Sequence, residues 1–165
     1  MNPKILIAGF VASLGLLFGG LLWMSRPVAK PQVLATSIGK LTASETSWDF
    51  GTVSMAKGVV TKKFSVTNAD TIPATVTKLF TSCMCTKAAL RVEGREWGPY
   101  GMPGMGPAIP DIAAEIAPGQ TAEVEVAFDP AAHGPAGVGQ IERQVTVQQN
   151  GQSPLTLNIR VLVTP

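Results

Sequence analysis

"AEVEVAFDP", residues 122–130, decides the fold: Val124, Val126 and Phe128 alternate with Glu123 and Glu125. That period of two belongs to a strand with one buried face and one wetted face. The same pattern recurs on both sides of it. "TKKFSVTN" (61–68) sets Phe64 and Val66 against Lys63, Ser65 and Thr67, and "IERQVTVQQN" (141–150) repeats the alternation with Val145 and Val147. "LTLNIRVLVTP" (155–165) lines up Leu155, Leu157, Ile159, Val161 and Val163 on one face. Turn signals separate these runs: "NADTIP", "APGQ", "DPAAHGPAG" and "NGQSP". Asn150-Gly151 predicts a hairpin between the last two strands. Nothing in this part of the chain has a helical period. The predicted class is all-β, an immunoglobulin-like antiparallel β-sandwich of about seven strands.

Ahead of the strands lies "ILIAGFVASLGLLFGGLLWM" (5–24), a run without a charge. At ~1.5 Å rise per residue it matches the roughly 30 Å hydrocarbon core of a bilayer. Trp23, Met24, Ser25 and Arg26 follow directly where a small-x-small cleavage site would stand, so the expectation is an uncleaved signal anchor, one transmembrane helix over residues 1–25. Residues 26–46, with Pro27 and Pro31 and no sustained period, read as a flexible tether, and 47–165 as the sandwich domain, beginning near Trp48. Lys4 on one side balances Arg26 and Lys30 on the other, so the charge rule gives no orientation. A short head before a long folded domain resembles a type II anchor, which places the domain outside the cytoplasm, in the periplasm or extracellular space.

Composition excludes several functions. Thirteen Lys and Arg against eleven Asp and Glu give a net charge of +2 with no basic block, which leaves no footprint for nucleic acid. With one histidine, no Ser/His/Asp spacing, no H-E-x-x-H and no phosphate-binding glycine loop, the sequence predicts no enzyme and no small-molecule substrate. Glu123 and Glu125 read as outward, solubilising positions.

"EGREWGPYGMPGMGPAIPD" (93–111) holds five glycines and four prolines, and is expected to be a long irregular loop rather than a central strand. Trp97, Tyr100, Met102 and Met105 put apolar anchors on it, suited to a protein partner in the cell envelope.

"TSCMCT" (81–86) carries both cysteines of the chain. If it ends a strand, Cys83 and Cys85 share a face with Cβ atoms roughly 6 to 7 Å apart, too far for a disulfide unless the chain kinks. Two thiolates on one face can converge on a soft metal ion, and thioether partners such as Met102 and Met105 favour copper(I). Met84 would point the other way. Two ligands are too few for structural zinc. No spacing fixes where His133 lies, and it reads as a solvated turn residue. Three readings therefore stand together: small buried apolar thiols, a metal-binding pair, and a disulfide or redox pair. No resident cofactor is expected, with copper(I) as the alternative.

"WDFGTV" (48–53), "FSVTNAD" (64–70), "TSCMCT" (81–86), "IAPGQTAEVEVAFDP" (116–130) and "VTVQQN" (145–150) occur in the order seen in the bacterial domain-of-unknown-function 1573 family, which the chain resembles from about residue 48 to 164. That family is similar to the Hydin-type immunoglobulin-like domains. The resemblance implies a sandwich fold and a cell-envelope location, often with a lipid or helix anchor, and implies no activity. Met84 stands where the family usually has glycine, and 93–111 lengthens a link that the family keeps short. The expected function is a membrane-anchored, extracytoplasmic binding or scaffolding module without catalysis. The alternative is a copper(I)-binding or thiol-redox protein using Cys83 and Cys85.

Overall fold

The computed structural model describes residues 39–165. The membrane helix expected over 1–25 lies outside the described residues, as does most of the expected tether. Ten strands run in chain order: β1 Leu41–Ala43, β2 Ser47–Ser54, β3 Val60–Asn68, β4 Ala74–Thr81, β5 Thr86–Val92, β6 Arg95–Tyr100, β7 Ala114–Ile116, β8 Thr121–Phe128, β9 Gly139–Gln149 and β10 Leu155–Thr164. One five-stranded sheet has the order β1-β3-β8-β5-β6, and the other β2-β10-β9-β4-β7. Among the described residues the only helical pieces are short 3-10 turns, Met55–Lys57 and Gly134–Gly137.

The alternating runs become β3, β8, β9 and β10, and their apolar phases meet in one core. Phe64, Val66, Val124, Val126, Phe128, Val145, Val147, Leu157, Ile159, Val161 and Val163 are all buried there. Burying such side chains contributes about 1.5–3 kcal/mol each, so the core is the main source of stability. On the outer face, Glu123 and Glu125 are not merely solvated. Lys63 and Arg91 bridge them, with Arg91 Nη1 2.7 Å from Glu125 and Lys63 Nζ 2.9 Å from Glu123.

Four expectations change. The sheets contain ten strands among the described residues rather than about seven, because short edge strands β1 and β7 and the pair β2 and β6 add to the alternating runs. The fold is not wholly antiparallel: β2 lies parallel to β10. Residues 44–46 take the chain from β1 at the edge of one sheet to β2 at the edge of the other. A bulge follows at Gly51, whose φ of 66° suits glycine, and the Asp49 carboxylate accepts the Gly51 N–H at 2.7 Å. Order also begins before Trp48, within the segment read as tether: Leu41 is buried, and its N–H donates to the side-chain oxygen of Gln149 at 2.8 Å.

The fourth change concerns 93–111. Glu93 and Gly94 both have positive φ, 48° and 80°, and close a two-residue hairpin in which Val92 pairs with Arg95. This backbone matches the twist of the two strands it joins. The chain then forms β6 on the edge of its sheet, where Pro99 is tolerated because one side of the strand needs no ladder donor. Irregular backbone begins only after Tyr100. The Asn150-Gly151 hairpin does join β9 to β10, but through a longer loop than a two-residue turn. Leu155 pairs with Val147, while Gln148 and Gln149 pair with β4 instead.

Candidate thiol and imidazole site

Two crossovers between the sheets create the site. Residues 82–85 carry the chain from β4 in one sheet to β5 in the other, and residues 129–138 carry it from β8 back to β9. Since β5 pairs with β8 and β4 with β9, both crossovers fall at the same end of the fold. The Asp129 N–H donates to the Cys85 carbonyl at 2.8 Å and ties them together.

"TSCMCT" is therefore a turn between strands, not the end of one. The Thr86 N–H donates back to the Cys83 carbonyl at 3.2 Å, and the buried Thr81 hydroxyl lies 2.9 Å from the carbonyls of both Cys83 and Thr86. Ser82 and Gln144 hold the outer side, with Ser82 N–H to Gln144 O and Gln144 N–H to Ser82 Oγ both at 2.9 Å. This kink replaces the extended spacing expected from a strand. It brings Cys85 Sγ to 2.7 Å from Cys83 Sγ. Met84, between them, points away and is 49 % exposed, as the sequence predicts.

Two further side chains close on the sulfurs. His133 Nε2 is 3.1 Å from Cys83 Sγ, and Arg143 Nε donates to Cys85 Sγ at 3.4 Å. The potential ligand atoms of Cys83, Cys85 and His133 all lie within 4.8 Å of one another. Both cysteines are buried, while the imidazole is exposed and covers them from the solvent side. His133 is thus a partner of the thiols rather than only a solvated turn residue. Arg143 has one signal in the sequence, since it stands in phase with the inward Val145 and Val147 of β9.

The two thiols differ electrostatically. Burial, the largest influence, pushes the Cys83 thiol up, but hydrogen bonds from Cys85, His133 and Arg143 outweigh it together and bring its pKa to about 6. Burial also pushes Cys85 up, and its hydrogen bond to Cys83 adds to this against smaller pulls from Arg143 and Thr86. The thiolate is the nucleophile. Alkylation of Cys83 by iodoacetamide should therefore rise through about pH 6 and then level off, while Cys85 reacts only in alkaline solution. Peptide mapping after timed labelling checks this. A shared midpoint near the ordinary cysteine value of about 8.5 would contradict it.

The methionines expected beside the thiols lie elsewhere. Met102 and Met105 line a neighbouring groove of about 670 Å³ with Met84, Tyr100 and Lys87. Met84, Lys87 and Asp129 also line a smaller recess that reaches Cys85. Trp97 and Tyr100, expected as partner anchors on a loop, sit on β6, half-buried and packed against the core. The Arg95 guanidinium lies 5.1 Å from the centre of the Trp97 ring.

No curated protein matches the chain in sequence. Among solved structures it is similar to a protein of unknown function from Porphyromonas gingivalis W83, with a TM-score of 0.57 and 15 % identity over 81 % of this chain and 51 % of that one. The chain thus spans about half the length of that protein, and the likeness is one of fold. Weaker likenesses are to PapD-like domain 7 of human CEP192 (TM-score 0.45, 13 % identity, 84 % of this chain and 92 % of that one) and to the CooA pilin subunit of enterotoxigenic Escherichia coli (TM-score 0.43, 12 % identity, 78 % and 100 %). Residues 41–98, which include both cysteines but neither His133 nor Arg143, match the family described as "Protein of unknown function (DUF1573)", the family that the sequence motifs resemble.

Proposed function

We propose that this chain is a non-catalytic, immunoglobulin-like module of the cell envelope that binds one copper(I) ion through Cys83, Cys85 and His133. The observation that carries this reading is the convergence of two thiols and one imidazole nitrogen within 4.8 Å. Thiolate sulfur is soft and selects copper(I), and three donors complete the trigonal site that this ion accepts. Structural zinc normally takes four protein ligands, and among the described residues no fourth Cys, His, Asp or Glu joins the group. The uncharged run at 5–24 supports a membrane anchor with the domain outside the cytoplasm. The two-sheet build with its crossovers supports the immunoglobulin-like topology.

Binding requires little rearrangement. Two sulfurs on one ion at about 2.3 Å each in a trigonal site would stand roughly 4.0 Å apart. The present 2.7 Å must open by small side-chain rotations. Both cysteines bind as thiolates: near neutral pH Cys83 is already largely ionised, and Cys85 releases its proton to solvent. The test is titration of the reduced full chain in detergent, under anaerobic conditions, against bicinchoninate as competitor for copper(I). The expected result is one equivalent withdrawn from the chelator per chain. Failure to withdraw any would end the metal reading.

The acidity of Cys83 favours a second reading, thiol–disulfide exchange. The Cys83 thiolate would attack a partner disulfide, and Cys85 would then displace the partner, leaving a Cys83–Cys85 disulfide and a reduced partner. Equilibration with glutathione buffers, followed by mass measurement, checks it. A dithiol unchanged across the whole series would exclude it.

A further inference from the structure

We infer that Arg143 is the counter-ion of this site and sets its preference for a monovalent over a divalent soft metal. The inference rests on the copper(I) reading above and concerns its selectivity. Arg91 spends its charge on Glu96, Glu123 and Glu125, Arg160 on Glu142, and Arg95 lies against the Trp97 ring at the exposed edge of its sheet. Arg143 differs. Its Nε donates to Cys85 Sγ at 3.4 Å and its Nη1 to the Glu142 carbonyl at 2.7 Å, and among the described residues no carboxylate lies within ion-pair distance of it. The carbonyl bond fixes the direction of the guanidinium without neutralising it. A half-buried cation on an inward-facing position of β9 is thereby aimed at sulfur.

The consequence follows from charge. Two thiolates and a neutral imidazole carry −2, so a bound copper(I) leaves the centre at −1, and the fixed guanidinium brings the whole group to zero. A bound zinc(II) already neutralises the thiolates, and the same guanidinium then stands beside a neutral centre as an unpaired, partly desolvated cation. At a separation of a few ångströms and partial burial, the difference between these two states is large enough to alter selectivity. Arg143 is thus a positioning and charge-setting residue, not a metal ligand.

The experiment uses the full chain in detergent, and measures copper(I) affinity against bicinchoninate and zinc(II) affinity against a fluorescent zinc chelator. The variants are Arg143→Met, which keeps length and packing, and Arg143→Lys, which keeps the charge. Arg143→Met should lower the ratio of copper(I) to zinc(II) affinity by about tenfold. Arg143→Lys should restore most of the ratio. An equal loss for both metals, or a loss that Lys does not recover, would make Arg143 a structural residue only and overturn the inference. Circular dichroism of each variant shows whether the sheets are intact, and if Arg143→Met unfolds, Arg143→Gln takes its place in the same comparison. If wild-type protein takes up no copper(I), the underlying site reading falls, and this inference with it. If it does and both variants equal wild type, only the inference falls.

Discussion

Replacing both thiols, Cys83→Ser with Cys85→Ser, lowers copper(I) affinity by at least about 10³-fold, a loss of roughly 4 kcal/mol. Serine preserves the size of each side chain and substitutes a hard hydroxyl, which stays protonated at neutral pH, for a soft thiolate. The imidazole of His133 then stands alone, 3.1 Å from the site of the missing Cys83 sulfur. One nitrogen does not compete with bicinchoninate. The fold should survive, because the turn is held by the Thr81 hydroxyl, by the Thr86 N–H and by Ser82 with Gln144, none of which uses sulfur. Unfolding stability should fall by no more than about 1–2 kcal/mol, since a buried hydroxyl can still accept from Arg143 or bond to Thr86. His133→Ala should cost less, about tenfold, because the imidazole is the exposed ligand of the three and solvent or an added nucleophile can replace it. Measuring the double variant by the same chelator competition decides the matter. An affinity equal to wild type would show that copper(I) binds elsewhere, with the thioether-lined groove of Met84, Met102 and Met105 as the place to look.

The parts of this protein that its sequence reveals are those where one physical rule governs. β3, β8, β9 and β10 are legible because each has one buried face, and the alternation of Val, Phe, Leu and Ile with polar residues records that fact directly. β6 is obscured because Glu93-Gly94 does not carry the usual Asn-Gly signature, and because proline and glycine are permitted on an edge strand but also mark loops. The parallel pairing of β2 with β10 depends on which sheet the chain enters after β1, a choice that no local pattern encodes.

The site divides in the same way. That Cys83 and Cys85 act as a pair is legible from their spacing, but their approach is not. It depends on a buried threonine hydroxyl that bends the chain where the residue pattern continues a strand. His133 arrives through a second crossover fifty residues on in the chain, a relation of topology rather than of spacing. Arg143 is the exception. The same period that turns Val145 and Val147 inward turns a cation inward, and a charge half-withdrawn from water favours a partner.

Asn68 should prove the costliest single side chain to remove outside the hydrophobic core: Asn68→Leu is expected to reduce unfolding stability by about 3 kcal/mol. In the sequence it reads only as the start of a turn, "NADTIP". In the structure it is fully buried at the end of β3. Its Nδ2 donates to the carbonyls of Ile72 at 2.8 Å and Ile116 at 2.9 Å, and its Oδ1 accepts from the Asp70 N–H at 3.1 Å. One amide thus closes the turn from β3 to β4 and fastens the end of β7 to it. Its backbone extends the junction, donating to Gln120 O at 3.0 Å and accepting from Gly119 N–H at 2.8 Å. Leucine fills the space and satisfies none of these side-chain bonds, so two carbonyls and one N–H lose partners where little water can replace them, at about 1–3 kcal/mol for each group left fully unsatisfied. Because Ile116 belongs to the edge strand β7, which pairs with β4 over three residues, the loss should also free that strand locally. Urea unfolding followed by tryptophan fluorescence gives the total, and hydrogen exchange at Ala114–Ile116 gives the local part. Asn68→Asp separates hydrogen bonding from shape. Its carboxylate would face two carbonyls, so its pKa is raised in the folded state, and its stability is highest below about pH 4 and falls as pH rises. A loss below 1 kcal/mol in Asn68→Leu, with exchange at β7 unchanged, would show that water enters the junction and takes over the work of the amide.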